Sequence, residues 1–578
     1  MATETILSPG VLLQEIDKSF ITPGVDPSGL AIIGPTAKGP VEIPTYIRDY
    51  NTFKEVYGTT LESASNAYEY YTSLAVKNYF QNGGSNCLVT RVVRDASSWT
   101  PASSSRIAPR DAADTAGDGP FTLETLSKGT LMNSSGSEYS NGALENGSKD
   151  NIRWEVKDIN TAQGTFTLII RRGDDTTAKP IVVETFTECS LDPLSENYIS
   201  RRVGDQYYSK DETDPDNILV TINGEFPNKS RYVRVSAVSS SLYQYIDNGG
   251  SVQAGYADKL PNSGSGIFDG GTGGNLDGAP LFGENGVADN AIQGLQEDDY
   301  DDAINILKNK DEYRFKTLVA PGLTQELASD KVSTIIENTT ARGDSFYVVD
   351  LVDYGKTTAN VTTEAGELDT SFAASYWPWV LVRSTELGRN VWCPASTVIP
   401  GVYSKNDSIA APWFAPAGLT RGGITNVTRV EKKLSKAVRD TLYSNKVNPL
   451  ATFPGQGIVV FGQKTLQNAK SALDRVNVRR MLLDVKDTIN GFARSILFEQ
   501  NTEATRERFV RLATPYLESL VQRQGLYAFQ VKMDGQNNTP DVIDENKLVG
   551  QVFLQPTKTA EFIVLDFTLT PTGASFTD

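Results

Sequence analysis

The chain has no histidine among its 578 residues. That absence removes the side chain that most often serves as general base or metal ligand near neutral pH. It also excludes any Ser-His-Asp or Cys-His centre. Cysteine is nearly absent: Cys87, Cys189 and Cys393 are odd in number and stand 102 and 204 residues apart. They form neither a disulfide framework nor a CxxC zinc pair, and they read as small buried apolar residues. No run approaches the roughly 20 apolar residues of a membrane span. The start, Met1–Gly10 (MATETILSPG), has neither the basic nor the apolar stretch of a secretion signal. A soluble, cytosolically made protein is expected.

What is present suits a large folded protein. At about 100 to 200 residues per domain, the length implies three to five domains. Hydrophobic residues make up 39% and charged residues 22%, which is ordinary globular usage rather than that of a disordered or collagen-like chain. The formal charge of −17 repels nucleic-acid phosphates and anionic lipid, so neither is expected as a direct partner. This charge is unevenly placed. From Arg421 to Arg511 there are 17 Lys and Arg against 8 Asp and Glu, a balance of +9 that leaves −26 for the remainder. Such a segment either solvates its helices or presents a basic surface to an acidic partner.

Periodicity divides the chain. Val11–Ile16 is a short strand-like run with no hairpin mate beside it, which reads as an arm. Leu30–Gly34 (LAIIG) reads as a buried strand, Asp49–Gly58 and Asn66–Phe80 as helices, and Cys87–Val93 as a second strand, together an α/β layer. From about Ser97 to Gly264, short alternating runs at Ile152–Val156, Thr165–Ile170, Ile181–Phe186, Ile218–Ile222 and Tyr232–Val238 lie between Ser, Gly, Asn and Asp clusters, and predict a β-rich insertion. Gly264–Gly278 reads as a boundary loop. A short helix over Asp298–Lys308, a strand at Thr317–Ala320, a helix near Gln325–Ala341 and a strand at Phe346–Leu351 resume the α/β layer. In the last third, Val430, Leu434, Val438 and Leu442 share a helical face, Ile458–Phe461 reads as a buried strand, and Met481–Leu497 and Phe509–Val521 have helical spacing, the latter broken or restarted at Pro515. Phe562–Thr570 (FIVLDFTLT) alternates as a terminal strand.

Candidate chemistry is thin. Gly34–Gly39 has phosphate-loop glycine spacing, but Pro40-Val41 stands where Lys-Ser or Lys-Thr is needed. Gly270–Asp277 is like one calcium β-roll repeat, and such repeats bind by stacking. Glu297, Asp298, Asp299, Asp301 and Asp302 suit the start of a helix, where its dipole favours carboxylates. No catalytic, metal or cofactor site is expected.

Several linked motifs are more specific. They are Tyr376-Trp377-Pro378-Trp379, Asn390–Pro394, Pro400–Tyr403, Ala411–Gly418, Val447-Asn448-Pro449, Phe453–Val460, Val476–Arg480 and Phe498–Asn501. In this order and spacing the C-terminal half resembles the tail sheath proteins of contractile phages. Pro9-Gly10-Val11, Gly34–Pro40, Gly83–Cys87, Arg91-Val92, Gly270–Gly274, Tyr300–Leu307 and Val319–Gly322 extend the resemblance over most of the chain, least specifically across the insertion.

The resemblance implies a multidomain protein combining α/β and α+β parts. A strand arm over 1–20 precedes an α/β sheath core over 21–96 and 265–445, interrupted by a surface-exposed β-rich domain over 97–264. A mixed, tube-facing C-terminal domain over 446–578 ends in a second strand arm. It also implies a non-enzymatic subunit of a virion tail, assembled in the host cytoplasm. That subunit polymerises helically in stacked hexameric rings around a tail tube, meets baseplate and tail terminator proteins, and contracts to drive the tube through the host envelope. Val11, Leu13, Ile563, Leu565 and Phe567 are the expected inter-subunit strand residues, and Arg479, Arg480 and Arg494 the expected tube-facing basic surface. A passive surface-layer or adhesin-like protein, or a glycan hydrolase built on a carboxylate pair, are the alternatives left by the residues alone.

Overall fold

An uninterrupted apolar run makes a stable strand where both of its faces are covered, and Leu30–Gly34 is used in that way. The computed structural model describes residues 28–561 except 64–65, 112, 114–116, 118, 212, 215–217 and 274–292. In it the strand Ser28–Gly34 lies between Cys87–Arg91 and Phe315–Thr324, parallel to both. Parallel pairing continues through Phe346–Asp350, Ala373–Trp377 and Val447–Phe453. Antiparallel strands Thr45–Ile47 and Gly457–Val460 complete the eight-stranded sheet at its two edges. Side chains alternate between two cores: Leu30, Ile32, Val89 and Val348 enter one, Ala31, Ile33, Leu88 and Val349 the other. Helices Tyr50–Tyr57, Tyr71–Gln81 and Ile399–Ile409 contribute to the first core, and Asp301–Ile306, Ser329–Arg342 and Thr358–Glu367 to the second. The two expected α/β stretches are therefore one sheet, which the chain leaves after Arg91 and re-enters at Phe315.

Between those points the chain builds a seven-stranded antiparallel sheet. Its spatial order is Val182–Ser190, Thr165–Arg172, Ile152–Asn160, Gly264–Asp269, Pro101–Ser104, Phe121–Lys128 and Val233–Val238. Gly264–Asp269, expected as a boundary loop, is its middle strand. One of its two glycines reflects packing: a Cβ on Gly266 would lie 2.6 Å from the Trp154 ring, so glycine admits the indole. Tyr207–Asp211 and Leu219–Asn223 form a separate hairpin. It reaches back to the core through Ile218 and through Lys210, whose amine is 2.5 Å from both Glu42 and Asp302.

Four local expectations are corrected. Asn66–Glu69 is a strand paired with Thr60–Ser63, and the helix begins only at Tyr71. Val430 ends the strand Val427–Val430; the Ser435 side chain then accepts from the Val438 amide and opens the helix Lys436–Ser444, so Val430 and Leu442 belong to different elements. The acidic run splits into a 3-10 turn, Glu297–Tyr300, and the helix Asp301–Ile306, with Lys331 bridging Asp298 (3.0 Å) and Asp301 (2.8 Å). Pro515 lies within one continuous helix, Glu503–Gln522. The buried stripe Phe509, Ala513, Leu517 and Leu520 holds that helix against the proline's missing amide. This helix packs with Val476–Arg494 and the hairpin Leu526–Lys532/Gln551–Pro556 through Met481, Val485, Leu517, Leu520 and Leu526.

Candidate assembly surfaces

Three of the sequence motifs converge inside the molecule. The Tyr376 and Tyr403 hydroxyls meet at 2.6 Å. The Arg480 guanidinium lies over the Tyr403 ring, 4.4 Å from its centroid, and donates to the Asp407 carboxylate at 3.0 Å. Arg479 lies over the Phe372 ring, 3.7 Å from its centroid, and donates to the Ser371 carbonyl at 3.1 Å. Arg479 is 4% exposed and Arg480 8%, so the basic surface expected of Arg479, Arg480 and Arg494 loses two of its three members. The helix explains why. Arg480 shares a face with Val476 and Leu483, which enter the core, and is carried inward with them. Burial pushes the Arg479 pKa down to about 10. Arg494 does face solvent, 3.4 Å from Asp311.

Asp350 is a buried acid that periodicity did not single out. It ends the strand Phe346–Asp350, and its carboxylate accepts from the Ser396 hydroxyl (2.5 Å), the Ser396 amide (3.2 Å) and the Gly322 amide (3.3 Å). Burial outweighs these three donors and pushes its pKa up to about 6. The folded state then binds this proton more tightly than the unfolded chain. The contribution is fully present below the unfolded carboxyl value and is lost as pH rises through about 6. Asp350→Asn keeps a neutral side chain at every pH. Raising pH from about 4 to about 7 is expected to lower the parent's unfolding free energy relative to the variant's. Denaturant titrations at both pH values check this, and a pH-independent difference would contradict it.

Among the described residues no group of three or more His, Cys, Asp or Glu is placed to hold a metal ion. All three cysteines are buried, and burial pushes the Cys189 and Cys393 thiols up to about 12, far from a reactive thiolate. No helix of the described residues is long and apolar enough to cross a membrane.

The C-terminal hairpin offers a different kind of site. Phe529, Val531, Val552 and Leu554 pack inward, while Tyr527 (67%) and Phe553 (53%) are exposed. Among the described residues its two strands pair only with each other. A two-stranded sheet with two free edges is a template for added strands. Val11, Leu13, Ile563, Leu565 and Phe567 lie outside the described residues.

Residues 293–466 match the phage tail sheath protein central domain, and residues 468–570 the phage tail sheath C-terminal domain. Over residues 293–570 the chain is similar to the phage tail sheath protein family. It is 40% identical over 190 residues to the tail sheath protein of Vibrio phage KVP40, a match covering 33% of this chain and 28% of that protein. With the tail sheath protein of Enterobacteria phage T4 it is 37% identical over 187 residues, covering 32% and 28%. The aligned stretch thus spans less than a third of either relative. The fold is also that of a sheath tail protein from Listeria innocua, with a TM-score of 0.52 at 11% identity over 92% of this chain and 96% of that one.

The tail sheath central-domain stretch contains Asp350, Tyr376, Tyr403 and Asp407, and the C-terminal-domain stretch contains Arg480 and the open hairpin. The Tyr376–Tyr403–Arg480–Asp407 network therefore ties the two matched stretches together. The seven-stranded sheet lies outside both matched stretches.

Proposed function

We propose that this chain is the sheath subunit of a contractile virion tail. It polymerises helically around a tail tube, meets baseplate and terminator proteins at the ends, and contracts by rigid-body repacking that drives the tube through the host envelope. The observation that carries this reading is the hairpin Leu526–Lys532/Gln551–Pro556, whose two outer edges have no strand partner among the described residues. The terminal arms, through Val11 and Leu13 at one end and Ile563, Leu565 and Phe567 at the other, add strands to that hairpin in neighbouring copies. Such a donor-to-acceptor contact joins head to tail and propagates into stacked rings. The work comes from the free-energy difference between two packings, so no nucleotide or cofactor is invoked. With Arg479 and Arg480 buried, a tube-facing basic surface falls to Arg494, Arg508 and Arg511, all of them exposed. Electron microscopy of the purified protein tests the reading. Hollow tubes are expected; flat lattices would instead favour a surface layer and overturn it.

A further inference from the structure

Helix Val476–Arg494 leads from the core into a lobe formed by its own outer half, the helix Glu503–Gln522 and the C-terminal hairpin. Residues 476, 480, 483, 484, 487, 491 and 494 recur at intervals of three and four or adjoin such positions, and so lie along one face. That face meets the core, and its character changes along its length. Val476 and Leu483 enter the core cluster, and Arg480 is held by Asp407. Beyond Leu483 the face is held by charge: Asp484 pairs with Lys316 at 2.6 Å, Asp487 with Arg314, and Arg494 with Asp311 at 3.4 Å, while Gly491 contributes no side chain. The opposite face sends Ile489, Phe492 and Ala493 into the lobe's own clusters.

Exposure rises along this seam, from 8% for the Arg480 side chain to 56% for Arg494 and 77% for its partner Asp311. A cleft of about 40 Å³ opens beside the inner pairs, lined by Arg314, Lys316, Asp407, Asp484 and Asp487 among others. The seam is therefore not close-packed, and water has room to enter it. At the inner end the attachment is of another kind. Leu517 and Leu520 pack with Ala411 and Trp413, the Trp413 indole donates to the Arg523 carbonyl at 3.0 Å, and Arg475 pairs with Glu561 at 2.7 Å.

We propose that Lys316–Asp484, Arg314–Asp487 and Asp311–Arg494 form a salt-releasable clasp that sets the angle of the lobe against the core, pivoting at the Arg480–Asp407 pair, whose guanidinium is buried. Half-exposed ion pairs weaken as ionic strength rises, whereas the pivot, whose guanidinium is 8% exposed and stacked on the Tyr403 ring, is screened less. The order of signs along the helix favours this register, because a slide by one turn would set Asp484 against Asp407 or Arg480 against Lys316. The lobe carries the open hairpin, so its angle sets where a neighbour's strand can dock. That last consequence rests on the proposed assembly; the clasp does not.

The test is a label-to-label distance in the full chain. Because the native cysteines are buried, spin labels on Lys310→Cys in the core and Ala504→Cys in the lobe, both exposed positions, report alone. From about 0.1 M to about 1 M salt the screening length falls from about 10 Å to about 3 Å. The distance is expected to lengthen and broaden over that range. In D484K/D487R it is expected to be long already at low salt, and adding R314D/K316D, which restores opposite pairing, is expected to return both the short distance and its salt response. Circular dichroism and thermal unfolding establish that each variant is folded. A distance unmoved by salt and by D484K/D487R would overturn the clasp. So would a lengthened distance that the restored pairing fails to shorten, because loss of packing rather than of charge would then be responsible.

Discussion

Arg91→Ala is expected to destabilise the protein by about 3 to 5 kcal/mol, and to do so at the junction between the two large sheets. Arg91 ends the strand Cys87–Arg91 and is 1% exposed. Its guanidinium donates to the Gly39 carbonyl (2.7 Å), the Lys128 carbonyl (3.3 Å) and the Ala37 carbonyl (3.5 Å), and lies over the Trp99 ring, 4.8 Å from its centroid. Gly39 and Ala37 belong to the loop leaving the first core strand, and Lys128 closes a strand of the seven-stranded sheet. One side chain thus joins both sheets. The charge is not what stabilises this contact, because burial pushes the Arg91 pKa down to about 10. What stabilises it is a planar fork that reaches three carbonyls at once, the Gly39 carbonyl accepting also from the Lys128 amide at 3.4 Å. Each acceptor left without a donor costs about 1 to 3 kcal/mol, and the void beside Trp99 adds to that. Lysine keeps the charge but not the fork or the ring stacking, so Arg91→Lys is expected to recover little. Thermal unfolding gives the size of the loss. Limited proteolysis should cut near residues 91–101 and 128–152 sooner in the variant, and a variant as stable and as resistant as the parent would refute this role.

The core strands were legible because parallel strands covered on both faces leave apolar runs in the sequence, as Leu30–Gly34 and Phe346–Asp350 do. That the layer resumes after the insertion was legible from the returning strand-helix-strand order, but the order of strands in the sheet was not: periodicity is local, and the strands ending at Arg91 and beginning at Phe315 meet the same neighbour only through space. Composition misled where one residue type serves two physical ends. Glycine at 266 is an accommodation to Trp154, not a loop signal, and arginines at 479 and 480 are buried donors, not surface charge. A signal for the second case was present: Arg480 lies four residues from Val476 and three from Leu483, on the apolar face of its helix. Asp350 carried a similar mark, a carboxylate closing an apolar strand. By contrast, the sheath motifs were legible because they are short, ordered and spaced, even though most of their residues turn out to be packing groups.

Deleting residues 1–17 is expected to abolish sheath-length polymers under conditions where the parent assembles, the largest effect on function that we foresee. In the proposed assembly each subunit donates strands and offers a two-stranded acceptor, so removing one donor leaves one edge of every hairpin unfilled. Val11 and Leu13 would each bury an apolar side chain in the neighbour, about 1.5 to 3 kcal/mol apiece, and backbone pairing along the strand adds to them. Because the loss repeats in every subunit, a modest weakening per contact multiplies along the helix. A synthetic peptide of residues 1–17 should then bind the truncated protein, and replacing Ile563, Leu565 and Phe567 together by serine should cut assembly at the other donor. Sedimentation and electron microscopy read the outcome, with thermal unfolding to establish that the truncated chain is folded. Normal sheath-length tubes from the truncated protein would mean that the free edges of Leu526–Lys532 and Gln551–Pro556 are filled by something other than the N-terminal arm.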